Sequence, residues 1–461
     1  MRNGFLHRSR LLPVVISLVA SVQALAQQKT GPGVPAAESL TWKGLTLYGV
    51  IDLGLQYDTH GAPFTPYRPS ASGNIVRQNS RQAVFGVTPS NMGQSRLGLE
   101  GVEPLSGEWS AVFQVETFFN PQSGEIADSL KSLAANNGLP VSKQSVGVDG
   151  SSAGQAFQTA YAGLKSQQFG ALTFGRQVSL LDQGVIRYDP DYNASAFGLL
   201  GASNTYSGAG SSEDNRLDTT AEYLLSFKEL HLGALYKLNQ STGSANTAFQ
   251  ADLGVEYAGA SVDAYYSKIN DAVTAASLTA AQVAALPKLG YSVTNTLAAT
   301  ISDNTAYALM ASYRLDPLTF LAGYEYIDYR NPKTPLSPGF TDIGGFVLAF
   351  VNNTAFDNPK LVQVYWSGVR YAIVPHLELT AAYYGVHQSA YGSGSQAGCS
   401  TSEHSACSGS LAAFSFAADY RFSVHFDAYV GAMYSAVSAG MASGYLYTTN
   451  INPTLGVRYK F

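Results

Sequence analysis

The sequence of 461 residues is poor in charge, with 13% Asp, Glu, Lys and Arg, and it has no long apolar segment after its first 26 residues. Gly, Ser, Asn and charged residues interrupt each apolar run before it reaches the roughly 18 residues that a membrane-spanning helix needs. Membrane-spanning helices are therefore excluded from this region. If it crosses a bilayer, it must do so as a closed β-barrel, in which every backbone polar group is paired.

An excess of basic residues is also missing. The chain has 27 Lys and Arg against 32 Asp and Glu, which gives a formal net charge of −5. Without the three arginines in residues 1–26, the count becomes 24 against 32, a net charge of −8. This balance argues against nucleic acid as a partner.

Cysteine is scarce, since Cys399 and Cys407 are the only two. They lie in a Gly/Ser-rich stretch with His404 between them, and no second His or further Cys completes a tetrahedral metal site there. We therefore expect no metal cofactor. In an exported protein, a disulfide across a surface loop is the better interpretation of this pair.

The first 26 residues have the three parts of a secretory signal. Arg2, Arg8 and Arg10 precede an apolar stretch at 11–20, and the small-x-small pattern at 24–26 is typical of a signal peptidase site. A retained helical anchor is the alternative, but the apolar stretch is short and contains Pro13. We predict a cleaved signal peptide at 1–26, a flexible mature terminus at 27–44 and one β-barrel domain at 45–461.

Glycine and aromatic residues are abundant, with 45 Gly, 29 Tyr and 22 Phe. From Leu45 onward, apolar residues recur with a period of two, which indicates strands with two chemically different faces. In the last segment, Leu455, Val457, Tyr459 and Phe461 alternate with polar or small residues. The segments are about 10 residues long, the length that a tilted strand needs to cross a bilayer. The sequence therefore predicts an all-β, antiparallel transmembrane barrel.

The connections between these segments alternate between tight turns and long polar loops. Eight long and seven short connections would join sixteen strands, with the long loops outside the cell. An Ala-rich stretch at 279–286 in the fifth long loop could form a short helix. The predicted long loops are 58–92, 120–155, 178–214, 240–247, 271–304, 330–360, 388–410 and 437–449.

Five short motifs, in order along the chain, resemble the general porins of Gram-negative outer membranes. They are Leu-Tyr-Gly-Val-Ile-Asp at 47–52, Ser-Arg-Leu-Gly-Leu-Glu-Gly at 95–101, Tyr-Ala-Gly-Leu at 161–164 with Phe-Gly at 169–170, Leu-Thr-Phe-Gly-Arg-Gln at 172–177, and the terminal Phe461. The resemblance covers nearly the whole mature chain. It implies a homotrimer in outer-membrane lipid, with one pore in each barrel.

The resemblance also implies a set of pore residues. The family's third long loop folds inward and opposes acidic residues to basic residues of the wall, and its terminal Phe serves as the signal for barrel assembly. Gln158 departs from the pattern, since the family commonly has Arg there, and this implies a weaker field across the pore. The carried-over constriction residues are Arg96, Arg176 and Arg216 on the wall and Asp182, Asp189 and Asp191 on the loop; Phe461 is the carried-over assembly signal.

Strand alternation supports some of these positions and not others. Arg96 alternates with Leu97 and Leu99, and Arg216 alternates with Leu217, so both should face water, because a charge facing lipid would cost roughly 2–4 kcal/mol at mid-membrane. Arg176 shares the parity of the apolar Leu172 and Phe174 and is kept only by resemblance. Aromatic residues near strand ends should form the membrane girdles; they are Phe320, Tyr324, Tyr326, Trp366, Tyr434, Tyr459 and Phe461.

The predicted function is passive diffusion of small hydrophilic solutes and ions, with a slight preference for cations. A channel specific for a sugar or a carboxylate is one alternative, for which Tyr188, Tyr192 and Tyr206 near the third loop could stack on a solute. A surface adhesin or antigen of the same fold is another. An enzyme is disfavoured because the seven histidines form no recognisable nucleophile or metal motif.

Overall fold

The computed structural model describes residues 40–67, 75–148, 155–238 and 247–461. The predicted signal peptide and residues 27–39 lie outside the described residues. Within these ranges, no helix combines the length and the apolar character that crossing a membrane requires.

Twenty-one strand segments and four α-helices make up the described chain. The helices are α1 (Ser129–Ala134), α2 (Leu180–Tyr188), α3 (Leu199–Ala202) and α4 (Ala280–Leu289). The strands are β1 (Leu40–Trp42), β2 (Leu45–Gly61), β3 (Gln82–Pro89), β4 (Arg96–Pro104), β5 (Trp109–Phe118), β6 (Thr159–Ser166), β7 (Gly170–Val178), β8 (Arg216–Phe227), β9 (Leu230–Lys237), β10 (Ala248–Tyr257), β11 (Ala260–Ala276), β12 (Thr296–Leu315), β13 (Leu318–Arg330), β14 (Phe340–Ile343), β15 (Phe346–Asn352), β16 (Lys360–Val374), β17 (Leu377–Gln388), β18 (Gly409–Arg421), β19 (Phe426–Ala439), β20 (Thr449–Ile451) and β21 (Thr454–Lys460).

These segments form sixteen antiparallel barrel strands. Segments β3 and β4 both pair with β2 and are two parts of one strand, and β20 and β21 both pair with β19 in the same way. The short β1 and the β14–β15 hairpin lie outside the count, because β1 only borders β2 and β15 runs parallel to β12. Pairing of β21 with β2 closes the barrel. The predicted strand number and antiparallel closure are confirmed.

Alternation in the sequence corresponds to two faces of the wall. In β21, Leu455 and Val457 are about half exposed on the outer face, whereas Thr454 and Arg458 point inward and are buried. The outer apolar face is stable only against lipid, because in water it would be a continuous exposed apolar patch. The fold therefore carries its own membrane-facing surface.

Loop boundaries differ from the predicted ones in two places. The second barrel strand already begins at Gln82, inside the predicted first loop, and is interrupted at 90–95. The fifth loop is shorter than predicted, since β11 continues to Ala276 and β12 begins at Thr296. Its helix α4 forms where it was expected, and it starts with a capping box between Thr279 and Gln282.

Residues 40–44, which the sequence analysis assigned to a flexible terminus, form a short strand and a turn. Residues 40–42 form β1, which runs antiparallel to Leu45–Leu47, with a turn at Lys43 and Gly44. Both residues of the turn have positive φ, a conformation that Gly adopts readily. The described part of the chain therefore begins in strand β1.

The third long loop, residues 179–215, folds into the barrel and forms an apolar core with the inner wall. The predicted pore implies a water-filled interior without such a core, and this implication is wrong for this side of the barrel. Trp366 belongs to this core, is buried, and is not a girdle residue. The core joins Leu180, Leu181, Val185, Tyr188, Leu199 and Leu200 of the loop to Leu235, Met310, Ile327, Val364, Trp366, Tyr384 and Met433 of the wall.

An external disulfide joins Cys399 and Cys407, whose Cα atoms are 4.7 Å apart. Both residues lie in the loop between β17 and β18. The Ser408 N–H donates to Cys399 O at 2.8 Å, and the Gln388 amide donates to Cys407 O at the same distance. The disulfide therefore closes the second half of this loop, and the Gln388 amide joins the end of the loop to the end of β17.

Candidate pore constriction

The third loop enters the barrel through helix α2. Its N-cap, Ser179, accepts a hydrogen bond from Asp182 N at 3.2 Å, and the Ser179 N–H donates to Asn215 O, which ties the two ends of the loop together. Capping satisfies one of the free N–H groups of the first helical turn. The first turn of α2, with Asp182, is therefore fixed beside the start of β8.

Arg96 lies on the inner wall, as predicted. Its Nε is 3.3 Å from Glu116 Oε2 on β5, and the next residue, Leu97, faces outward. Tyr48 of β2 donates its hydroxyl hydrogen bond to the same Glu116 oxygen at 3.0 Å. The Arg96 charge is therefore compensated by a wall acid that the sequence analysis did not identify.

Arg216 lies next to this pair, at the start of β8. Its guanidinium is 4.7 Å from the centre of the Phe118 ring and is within electrostatic range of Glu116, Asp182 and Arg96. Its predicted alternation with a lipid-facing Leu217 is wrong, because Leu217 is fully buried. The ladder is irregular here. Gly175 and Gln177 of β7 are two positions apart, whereas their partners on β8, Thr220 and Leu217, are three positions apart.

Arg176 borders this cluster. Its Nη1 atom lies 2.6 Å from Asp218 Oδ1, and it is close enough to Arg216 to repel it electrostatically. Its side chain is only 10% exposed, although it shares the sequence parity of the outward Phe174. The ladder between β7 and β8 shifts register here, between Gly175 and Gln177. The ion-pair partner of Arg176 is thus an acid of β8 and not of the loop.

Asp182 is the loop acid that the structure brings to the basic wall. Its side chain is buried, and Ser207 of the same loop donates a hydrogen bond to it. Burial raises the pKa of Asp182 to about 6, although the nearby Arg216 charge acts in the opposite direction. Arg96, Glu116, Arg216 and Asp182 together form the constriction cluster.

Asp189 and Asp191 do not face the basic wall. The Tyr384 hydroxyl of β17 lies 2.5 Å from Asp189 Oδ1 and 2.9 Å from Asp191 Oδ2, and Ser415 of β18 donates to Asp191 Oδ2 at 2.7 Å. Strand β17 lies eight barrel strands away from β7, on the opposite wall. These carboxyl groups therefore attach the loop to the far wall.

Burial perturbs both of these acids. It raises the pKa of Asp189, and burial together with the neighbouring Asp189 raises the pKa of Asp191 to about 7. The charge of Arg370 on β16 acts to lower both pKa values, and the Arg370 Nε donates to Pro190 O at 2.6 Å. Because both carboxyl groups contact the same Tyr384 hydroxyl, ionisation of one opposes ionisation of the other.

Two further wall residues hold the loop tip, and the sequence analysis missed both roles. The indole N–H of Trp366 donates to Tyr188 O at 3.0 Å, and the Arg370 guanidinium is 3.2 Å from the centre of the Tyr192 ring. Tyr188 also contacts Ser261 at 2.6 Å between hydroxyl oxygens. Tyr188 and Tyr192 are therefore engaged in anchoring the loop.

The remaining predicted positions fall as follows. Gln158 is buried beside β5, where its backbone N–H donates to Glu116 O. Phe461 exchanges two backbone hydrogen bonds with Gly49, at 2.9 and 3.1 Å, and its ring covers that glycine. Across the ranges that the structure describes, no group of three or more His, Cys, Asp or Glu residues is placed to hold a metal ion.

Two sequence comparisons relate this chain to porins. The sequence profile of a family described as Gram-negative porin matches residues 14–440. An outer membrane porin protein of Bordetella pertussis is 30% identical over 146 residues, which are 32% of this chain and 31% of that protein. The matched part therefore spans about a third of that relative's length.

Solved structures show the same fold at low identity. An anion-selective porin from Comamonas acidovorans matches with a TM-score of 0.57 at 14% identity, over 90% of this chain and 99% of that one. In-vitro folded OmpT, an outer membrane protein of Vibrio cholerae, matches with a TM-score of 0.53 at 14% identity, over 92% of this chain and all of that one.

Proposed function

Because this chain belongs to the Gram-negative porin family, we propose that it forms an outer-membrane channel for the passive diffusion of small hydrophilic solutes and ions. The observation that carries the proposal is a closed sixteen-stranded barrel with a charged cluster inside it. Arg96 pairs with Glu116 on the wall, and the neighbouring Arg216 interacts with Asp182 of the inward loop. Family and fold indicate a channel rather than an enzyme, and no catalytic step is assigned.

The constriction cluster lowers the barrier for hydrated ions. Fixed charges on both sides of a narrow aqueous path replace part of an ion's hydration, while the width of the path excludes large solutes. Two guanidinium groups, Arg96 and Arg216, are balanced by two carboxyl groups, Glu116 and Asp182. Ion selectivity is therefore weak, and its sign depends on the protonation of Asp182.

Filling of the barrel sets the width of this path. The third loop packs its apolar core against β8 to β13 and β16 to β19, so solutes are confined to the polar side formed by β2 to β7 and the polar inner residues of β8. Polar side chains on that side include Tyr48, Gln114, Tyr161, Thr173 and Glu222. This arrangement supports small solutes as the transported class.

The channel is a homotrimer in outer-membrane lipid and reaches the membrane after cleavage of residues 1–26. One solved relative, OmpT of Vibrio cholerae, is described in a trimer form. The outer face of the barrel is apolar and suits both lipid and neighbouring subunits. Mobility of unheated and heated protein on a denaturing gel, together with mass measurement in detergent, tests the trimer.

Single-channel recording of the purified mature protein in a planar bilayer tests the channel. We expect open steps grouped in threes, and a reversal potential close to zero under a potassium chloride gradient. Absence of conductance from a protein that is folded by its heat-modifiable mobility would contradict the proposal. A reversal potential close to the equilibrium potential of potassium or of chloride would leave the channel proposal intact. It would contradict the inference that the charges of the constriction cluster balance.

A further inference from the structure

A lysine lies within a group of aromatic rings at the external end of β16. The Lys360 Nζ atom is 5.3 Å from the centre of the Tyr329 ring and 5.6 Å from the centre of the Tyr391 ring. The Phe356 ring lies between these two, with centroid distances of 6.0 Å to Tyr329 and 5.6 Å to Tyr391. We name these four residues the Lys360 cage.

The cage belongs to the inside of the barrel. Lys360 shares the face of Val362, Val364 and Trp366, all of which are buried within the wall. It begins β16 directly after the sixth long loop, so the cage lies at the external mouth. Tyr329 is buried, while Lys360, Phe356 and Tyr391 are partly exposed and can meet a solute.

The ammonium group has no anionic partner among the described residues. Lys360 forms no ion pair in those ranges, and no ionised side chain there is near enough to affect it electrostatically. Aromatic faces stabilise a cation only in part, and a desolvated ammonium ordinarily has a carboxylate or hydrogen-bond acceptor. The cage therefore presents an unneutralised positive charge at the end of an apolar surface.

The rings are held in place before any solute arrives. Asn331 donates to Phe356 O at 2.8 Å and accepts from the Phe356 N–H at 3.0 Å. The backbone N–H of Asn358 donates to Tyr391 O at 3.0 Å. Two different loops are thus fixed on either side of Lys360, which lowers the ordering cost of binding.

We infer that the Lys360 cage binds small carboxylates that carry a planar aromatic ring. The carboxylate neutralises the Lys360 ammonium, and the ring contacts the exposed parts of Phe356 and Tyr391. A charge-assisted pair adjoining offset aromatic contacts matches both features of the cage. This inference rests on the proposed function, because the cage would take up its solute at the entrance of the channel.

Isothermal titration of the folded, detergent-purified protein with benzoate tests this inference. Benzoate should bind saturably, whereas acetate, which has no ring, and benzamide, which has no charge, should bind far more weakly. Lys360→Met should weaken benzoate binding by roughly ten- to a hundredfold, since it removes a charge-assisted contact. Lys288→Met, which removes an exposed lysine of α4, is the matched control and should bind as the wild type does.

Several outcomes overturn the inference. One is an absence of benzoate binding to the wild type, and a second is equal binding of acetate. A third is unchanged benzoate affinity in Lys360→Met, provided that its heat-modifiable mobility shows a folded barrel. Phe356→Leu tests the ring contact without touching the charge and should weaken benzoate more than acetate.

Conductance separates this inference from the proposed function. If the protein conducts but benzoate neither binds nor reduces the current, the cage assignment fails and the channel stands. If benzoate binds with the expected loss in Lys360→Met but no current flows, the channel fails and the cage stands. Reduction of the wild-type current by benzoate, lost in Lys360→Met, supports both.

Discussion

Replacing Asp191 by Asn should remove a pH dependence from the attachment of the third loop to the far wall. Asp191 is 2% exposed and shares the hydroxyl of Tyr384 with Asp189. One hydroxyl has one hydrogen to donate, so both contacts are satisfied together only when one of the carboxyl groups carries a proton. The attached loop therefore binds a proton that the released loop does not.

The sign and the size follow from the pKa values. In the attached loop, burial and Asp189 raise the pKa of Asp191 to about 7 from an ordinary value of 3.8. A raised pKa means that the stabilisation is complete below about pH 4 and is lost as the pH rises through about 7. Between about pH 5 and about pH 8, the change is on the order of 3 kcal/mol, or roughly a hundredfold in the opening equilibrium of the loop.

Hydrogen exchange of the backbone amides at 189–194 measures that equilibrium. After correction for the intrinsic pH dependence of exchange, the wild type should open far more readily at the higher pH, and Asp191→Asn should respond much less. Glu125→Gln, which alters an exposed acid in another loop, is the control and should match the wild type. Equal wild-type protection at both pH values, or an unchanged pH response in Asp191→Asn, would refute the shared-proton reasoning.

Three further changes test other parts of the barrel. Arg96→Gln should leave the constriction with excess negative charge and shift the reversal potential towards cation selectivity in a salt gradient. Joint replacement of Cys399 and Cys407 by Ser should make the loop between them more sensitive to protease, since the crosslink contributes roughly 2–3 kcal/mol to local order, while barrel heat stability stays unchanged. Gly49→Val should place a side chain against the Phe461 ring and lower the folded fraction in a membrane-insertion assay, with Gly107→Ala, at an open turn, as a control of lesser effect.

Strand number and wall polarity could be predicted because successive side chains of each barrel strand point to opposite faces, so that the two environments alternate along the sequence. In β4, this pattern correctly placed Arg96 inside from its neighbours alone. It failed at Leu217, because a local register irregularity in the β7–β8 ladder changes the parity without any sign in the residue types. Alternation is therefore reliable only within an uninterrupted ladder.

Loop contacts could not be predicted, because their partners lie far away in the sequence. Asp189 and Asp191 were assigned to the pore by their position in the third loop. Their direction is set by Tyr384, which lies 195 and 193 residues away. Neither a local pattern nor a motif reports a contact over that sequence separation. The local sequence around a loop acid is the same whether the acid faces a pore or the opposite wall.

The inner apolar core explains why polar and apolar residues alternate less clearly along β12, β16 and β17. These strands have lipid on one side and the third loop on the other, so both faces are apolar and the contrast between them is small. In β12, for example, Leu309 faces outward and Met310 faces the loop. Strands β4 and β5 keep a polar inner face, with Arg96 of β4 paired to Glu116 of β5, as the proposed solute path requires. Strong alternation therefore indicates the part of the wall with a polar inner face, which includes Arg96. Weak alternation indicates the part that packs against the third loop.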